Sequence, residues 1–483
     1  MYENITEILT GPISAEQIAQ ITGGELVPVN GGHGRSESVI STDSRTQKPH
    51  GIFAAITGER NDGHKYILNE IERGVGIIIA ERIPDGETDA PADFVIVENT
   101  TSALLSLARY CIDISGCKRI AVTGSVGKTT TKEFISSVLS QEYKTSKTEG
   151  NKNTAIGTAL TAFEISRETQ CAVFECGMSG RGEISEMVKT IRPDIGVITN
   201  IGTAHMEMLG SRENIASAKL ELLDGMDGDA PLLINGDEPL LTGNERVKAR
   251  KNVLTVAMYN RHADVRALNL RMLNGGMLFD IICRGHVITN VEIPVPGMHN
   301  IYNAVIAFTV GDLCGVSEEK IRAGLKNFIN VSMRQKIYRM GKITIIDDAY
   351  NASPESMRVA LNVLSSMTKE RGARAVALLG DMKELGDSSS LMHEKIGAYA
   401  ARSGVKLLFT YGVLAENIAR SAIRNGIRAE NVHVNLDTGD ARTMAEMMAP
   451  LLRADDVLLV KASRSVHAEN VIEQLKKFQK RFS

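Results

Sequence analysis

The sequence contains no apolar run approaching the ~20 residues that a membrane-spanning helix requires, so no stable membrane insertion is expected. It also lacks an excess of charge of either sign. A formal net charge of −3 over 483 residues leaves no electrostatic footprint for nucleic acid or an anionic membrane. The opening stretch "MYENITEILTG" has neither the basic nor the apolar segment of a secretory signal. The cysteines Cys111, Cys117, Cys171, Cys176, Cys283 and Cys314 lack C-x-x-C spacing and read as buried, reduced thiols. Internal repeats and low-complexity tracts are missing as well. What remains is a globular chain expected in the cytoplasm, of ordinary composition and too long for one hydrophobic core, so three domains are expected.

Along the chain, "SAEQIAQIT" reads as a short helix and "GELV" as a strand. A mixture of apolar runs and turn residues then continues to about residue 110. From "KRIAVTG" onward the grammar changes. Continuous apolar strands, "CAVFECG" and "DIGVITNIG" among them, alternate with helical stretches, which implies a parallel sheet covered on both faces. The alternation restarts near residue 330. There "KITIIDDAY", "RAVALLGDM", "KLLFTYG", "NVHVNL" and "DVLLVKAS" read as strands separated by helices. Ser353-Pro354 opens the first of these helices, with a hydroxyl at N-cap and proline at N1. The expected fold is α/β in three domains: a small α+β unit over 1–112, a central P-loop parallel-sheet unit over 113–329, and a Rossmann-like α/β unit over 330–483.

The stretch "AVTGSVGKTTTKEF" resembles a phosphate-binding loop but is one glycine short, with Val122 where G-x-x-x-x-G-K-[ST] has its first glycine. Gly124, Ser125, Gly127, Lys128, Thr129 and Thr130 can still form a strand–loop–helix turn. Such a turn aims backbone N–H groups and a helix dipole at a phosphate. Lys128 would neutralise the β- and γ-phosphates, and the Thr129 hydroxyl is a possible Mg²⁺ ligand. Glu175 ends "CAVFE" and His205 follows "GVITNIG", so carboxylate and imidazole fall at the same sheet edge, where ligands bind in doubly wound folds. Each is weak evidence alone: a strand-end carboxylate often caps a helix, and a lone histidine is more often structural. Together with the loop they suggest metal-assisted phosphoryl transfer.

At these residues the chain resembles a known family. "TGSVGKTTTKEF", "GNKNTAIG", "FECGMSGRGEI", "NIGTAHMEMLGSRENIASAKLEL", "PGMHNIYNAVIA" and "IIDDAYNASPESM" resemble, in order, the motifs of the Mur ligases, ATP-dependent carbon–nitrogen ligases of peptidoglycan assembly. The shortened loop is that family's form. "DSR" at 43–45 and "GDMKELG" at 380–386 are similar to the member that joins D-alanyl-D-alanine to UDP-N-acetylmuramoyl-tripeptide. The resemblance implies ATP and Mg²⁺ as cofactors and an acyl-phosphate intermediate. It implies catalytic roles for Lys128, Glu175, His205 and Lys219. It also implies metal ligation by Thr129, Glu175, His205 and a carbamylated Lys219. By the same resemblance Asn300, Asn303, Arg334 and Asp347 bind ATP with the loop. Ser44, Arg45, Asp62, His64, Asn151, Asn153 and Asn351 are the implied substrate contacts, Asn351 with the "GDMKELG" loop for the dipeptide. A monomer is expected.

Three motifs depart from the family pattern: Thr154 replaces a usual asparagine, Ser179-Gly180 a common Asn-His pair, and Ala462 a more usual glycine. A sister ligase adding the third stem residue, or a folylpolyglutamate synthetase, is the nearest alternative. The "DNPR"-like signature of the former is absent. A regulatory protein that binds ATP without ligating anything would show a degenerate Lys128, Glu175 or His205, and all three are intact. A GTPase would need an N-K-x-D signature, which "NKNT" does not supply.

Overall fold

The computed structural model describes residues 5–8, 10–29, 36–45, 49–58, 61–84, 91–273, 275–330 and 333–478. Its architecture is built outward from the β-branched run "KRIAVT", which forms the strand Lys118–Thr123 with Ile120, Ala121 and Val122 fully buried. This strand is third in a nine-stranded sheet. Thr145–Lys147 and Cys171–Glu175 lie on one side of it. Ile195–Ile198, Leu232–Asn235, Val253–Ala257 and Val265–Leu273 follow on the other, all parallel. Strand order therefore reverses around Lys118–Thr123, which leaves a crevice at its carboxyl end.

The sheet then continues into an antiparallel meander through Gly276–Cys283 and His286–Ile293. The sequence reading did not identify this meander. Its first strand alternates buried or half-buried with exposed residues, because only one face is covered, by the helix Met298–Leu313.

The first sheet has a parallel centre formed by Val39–Ser41, Ile52–Ala54, Ile77–Ala80 and Ala92–Ile96. Antiparallel strands Ile5–Glu7 and Glu25–Val29 close its two edges. The helix Thr100–Ser115 carries the chain past residue 112 and ends at Gly116, whose φ of 63° is left-handed. Its Leu104, Leu107, Ala108 and Ile112 share one core with Leu160 and Phe163 of the helix Ala155–Phe163. The first and central units are thus joined through a common helix layer.

The third sheet runs Lys336–Met340, Ile343–Asp347, Val457–Lys461, Ala375–Gly380, Leu407–Tyr411, Val432–Asn435. Only the first of these pairs antiparallel. The five strands expected here all form. Ser353 caps the helix Pro354–Arg371, accepting the Ser356 N–H at 3.3 Å. The departure at Ala462 has a counterpart inside the same sheet: a Cβ on Gly380 would come within 2.6 Å of the Ala462 Cβ. One of the two facing positions must be glycine, and here it is Gly380. All six cysteines are buried and unpaired. Among the described residues no helix is long and apolar enough to cross a membrane.

Candidate active site

A cavity of about 310 Å³ lies where the carboxyl ends of the central and C-terminal sheets face each other. Its floor is the loop 124–128. Gly124 (φ 145°) and Gly127 (φ 88°) both adopt conformations that favour glycine. A side chain at Gly124 would overlap Thr199 Oγ1, and one at Gly127 would press on Asn303 Oδ1 at 3.1 Å. The strand-end "TN" holds the loop from below. The Asn200 side chain accepts the Val126 N–H at 2.9 Å and donates to the Val126 carbonyl at 2.8 Å, to which Thr199 Oγ1 also donates. Ser125 Oγ accepts the Gly202 N–H at 2.8 Å. The missing first glycine is therefore replaced by side-chain bonds from the neighbouring strand.

Above the loop the helix Lys128–Leu139 begins without a side-chain cap, so its first N–H groups face the cavity. Lys128 Nζ donates to the Gly124 carbonyl at 2.8 Å. Burial pushes the Lys128 ammonium down in pKa, opposed by the charge of Glu175. Thr129 Oγ1 donates to Glu175 Oε2 at 2.8 Å, and Asn153 Nδ2 donates to Oε1 at the same distance. Lys132, fully buried one turn along the helix, lies 3.9 Å from Glu175 Oε2. It pairs with Glu133 and donates to the Thr148 carbonyl. Lys132 is a site residue that sequence reasoning missed, although it stands in the quoted "GKTTTKEF".

His205 also lines the cavity, in a left-handed conformation (φ 64°). Its Nδ1 lies 2.8 Å from Glu384 Oε2 of the C-terminal unit, and Glu384 is itself left-handed (φ 64°). The His205 hydrogen bond holds the Glu384 carboxyl below its usual pKa. A second bond between the units, from Thr203 Oγ1 to Glu355 Oε2 at 3.1 Å, lies nearby. Lys219 is not among the cavity-lining side chains; it is 1% exposed. Burial, and then the like charge of Lys128, drive its ammonium pKa well below the ordinary value.

From the far side come Arg334, stacked 4.0 Å from the Tyr350 ring centroid, and the buried pair Lys461–Asp348 at 2.7 Å. Burial raises the Asp348 carboxyl, against the Lys461 charge. Of the Asp347-Asp348 pair, Asp348 lines the cavity. Asp347, the one singled out in the sequence, turns to accept the Ala349 N–H. Asn300 and Asn303 line the wall, with His299 bonded to Gln335 at 3.0 Å. Asn351 lies there too, whereas Asn151 does not.

The first unit stands apart: Ser44, Arg45, Asp62 and His64 do not line this cavity. Arg45 is exposed and pairs with Asp43 at 2.6 Å. His64 is buried with both ring nitrogens engaged, Nδ1 by Asp62 at 2.7 Å and Nε2 by the Glu81 N–H at 2.9 Å. The other two departures are accommodated locally. Thr154 caps the helix Ala155–Phe163, a task asparagine also performs. The Ser179 and Gly180 N–H groups both donate to Glu183.

Oxygen ligands suited to a hard divalent cation are present in the Thr129 hydroxyl and Glu175 carboxylate, 2.8 Å apart at the wall beside the phosphate loop. Among the described residues no group of three or more His, Cys, Asp and Glu side chains gathers to hold a metal. A complete shell would therefore draw on the hydroxyl, on solvent or on a bound phosphate.

Comparison with known proteins gives a consistent result. The family model for the Mur ligase middle domain matches residues 122–311, and that for the Mur ligase, glutamate ligase domain matches residues 333–464. A UDP-N-acetylmuramoyl-tripeptide–D-alanyl-D-alanine ligase of Bacillus subtilis is 34% identical, covering 98% of this chain and 97% of its own. A crystal structure of MurF from Acinetobacter baumannii superposes with a TM-score of 0.86 at 29% identity, over 97% of this chain and 100% of that one. MurF ligase from Thermotoga maritima in complex with ADP gives 0.80 at 26% identity, over 91% and 97%. With relatives this similar over nearly its whole length, the chain belongs to the Mur ligase family, among its UDP-N-acetylmuramoyl-tripeptide–D-alanyl-D-alanine ligases.

Proposed function

We propose that the protein uses ATP to join D-alanyl-D-alanine to UDP-N-acetylmuramoyl-tripeptide, giving the pentapeptide, ADP and phosphate. The observation that carries this reading is one cavity with a phosphate loop and Glu175 on one wall and Arg334 and Lys461 on the other. The tripeptide carboxylate attacks the γ-phosphorus of ATP, forming an acyl phosphate and releasing ADP. The dipeptide amine then attacks the acyl carbon, loses a proton, and phosphate departs.

In the first step an anion approaches an anion, so the main demand on the protein is positive charge and fixed donors at the γ-phosphate. Loop N–H groups and Lys128 hold the β- and γ-phosphates. Lys128 is already half-buried at the wall, so its charge acts through a medium less screening than water. Arg334, braced on Tyr350, approaches from the C-terminal unit. Thr129 and Glu175 would hold Mg²⁺, which when bound neutralises phosphate charge. His205, with Lys219 in its carbamylated form, would serve a second ion. A buried, charge-repelled amine favours the neutral state that carbon dioxide captures, so the surroundings of Lys219 fit that modification. Arg45 and Ser44 are the proposed contacts for the UDP end, Asn300 and Asn303 for adenine, and Asn351 for the dipeptide. A monomer in the cytoplasm is the proposed working state.

The test is phosphate release from ATP with Mg²⁺ and UDP-N-acetylmuramoyl-tripeptide. Release is expected to depend on D-alanyl-D-alanine. Dependence instead on a diamino acid, with a dipeptidyl nucleotide as the other substrate, would move the protein to the sister reaction.

A further inference from the structure

In the first unit, the turn that follows the helix Ile67–Glu72 holds the segment 44–50 at both ends. Arg73 Nη1 donates to the Ser44 carbonyl at 3.1 Å. At the other end the His50 N–H donates to the Gly74 carbonyl at 3.0 Å, and His50 is left-handed there (φ 57°). A left-handed non-glycine residue persists where its surroundings over-determine it. Ser41 Oγ accepts the Asp43 N–H at 3.0 Å. Asp43 Oδ1 in turn accepts the Arg45 N–H at 3.0 Å and the Arg45 Nε–H at 2.9 Å. The segment 41–45 is thus closed on itself, and Arg73 ties it to the turn after the helix.

Arg73 is itself held from inside the core. Its Nη1 also donates to Glu70 Oε1 at 2.9 Å, and the Glu70 side chain is 0% exposed against 53% for Arg73. Glu70 Oε2 is buried with no hydrogen-bond partner among the described residues. Burial raises the Glu70 carboxyl, against the charge of Arg73. An ordinary surface pair at this i,i+3 spacing keeps both groups in water. Taking one partner out of water gains little net stability. What it supplies is geometry: one Arg73 nitrogen is pinned between a buried anchor and the Ser44 carbonyl.

We propose that Arg73, anchored by Glu70, is a positioning residue for the nucleotide substrate: it sets the loop that presents Ser44 and Arg45 to the UDP end. The inference rests on the assignment of Ser44 and Arg45 to that end, made above, and adds the residues that hold them in place. Arg73 acts through the loop and not by contact with the substrate. A lysine ammonium carries three donors on a flexible stem and can reach the same two oxygens less rigidly. Arg73→Lys is therefore expected to retain part of the effect, and Arg73→Gln little of it.

The test measures steady-state kinetics of the full enzyme with each substrate varied in turn, alongside calorimetric titration with UDP-N-acetylmuramoyl-tripeptide. In Arg73→Gln the KM and Kd for the nucleotide-tripeptide are expected to rise roughly 5- to 20-fold, the scale of a lost hydrogen bond from a charged group. The kcat and the KM values for ATP and the dipeptide should stay at wild-type levels, a split that a general structural defect would not give. Arg73→Lys should bring the rise back to about threefold or less. Glu70→Gln keeps the volume but not the charge. It should raise the same KM by about two- to fivefold, and it decides the matter if Arg73→Gln fails to fold. Wild-type affinity for the nucleotide-tripeptide in these folded variants, with Arg45→Gln weakened, overturns this inference alone. A fall in kcat with every KM unchanged likewise overturns it and leaves Glu70 and Arg73 a structural role. If Arg45→Gln also binds at wild-type strength, the placing of the UDP end on Ser44 and Arg45 falls, and this inference with it.

Discussion

At the scale of single residues, the phosphate loop shows how a motif can be shortened without losing its geometry. Asn200 and Thr199 bind the Val126 backbone that a longer glycine-rich loop would have to shape itself. Gly124 and Gly127 were legible because only glycine permits such turns. The bracing was not, because Asn200 is remote in sequence and ordinary in type. The same contrast divides Asp347 from Asp348: the pair was visible, but which carboxylate faces the cavity depends on the strand-end turn. Lys219 is the sharpest residue-scale case. Replacing it by alanine should lower the ligation rate by 100-fold or more, on the order of losing a principal charged contact. Short carboxylic acids such as formate or acetate should restore part of the rate. Full activity in the alanine variant would show that the reaction does not need Lys219, and a loss that no carboxylic acid restores would leave it a packing role alone.

At the scale of elements, the five parallel-paired strands of the C-terminal unit were readable in nearly their observed positions, because buried parallel strands are continuous apolar runs, whereas the edge strand Lys336–Met340 and the last helix Glu469–Lys476 were not read. The meander over residues 265–293 was harder, since a one-faced ribbon mixes exposed and buried side chains. The helix Ser389–Arg402 carries a buried histidine that ties it to the loop after Gly380. His393 Nε2 accepts the Met382 N–H at 2.9 Å, while Nδ1 donates to the Ser389 carbonyl at 2.7 Å. Accepting at Nε2 requires the neutral ring, and burial lowers its pKa. Below the unfolded value of about 6.5 the unfolded chain binds a proton that the native chain refuses. The contribution of His393 is thus complete above that pH and is lost as pH falls. Stability should decline by at most about 1.4 kcal/mol per pH unit from this group between pH 6.5 and its native pKa. Thermal melts of wild type and His393→Gln across pH 5–8 would check this: the gap between them should narrow toward acid. A constant gap would assign the histidine a packing role only.

At the scale of the whole molecule, three units in succession along the chain were anticipated. How the units touch was not, since no sequence pattern announces that His205 and Glu384 meet. The His205–Glu384 contact and the Thr203–Glu355 bond join the central and C-terminal units across the cleft. Glu384 is half-exposed, at 53% of its side chain, so the pair contributes modestly, about 0–1 kcal/mol, and is screened by salt. Glu384→Gln should therefore enlarge the radius of gyration of the ligand-free protein in small-angle scattering at low salt. One molar salt should do the same to the wild type and add little to the variant. Identical scattering from both proteins under both conditions would mean that the pair does not govern the separation of the units.

The wall Asn351–Ser353 is common to the cavity over the phosphate loop and to an adjoining one of about 340 Å³, and Asn351 is the proposed contact for the dipeptide. A single compound bearing both a polyphosphate mimic and a zwitterionic dipeptide mimic, tethered past this segment, would lose its translational freedom only once. Its second half would then bind at an effective concentration in the millimolar range, set by the tether. Two weak fragments could thereby become one tight inhibitor, and the best tether would be the shortest that clears Asn351.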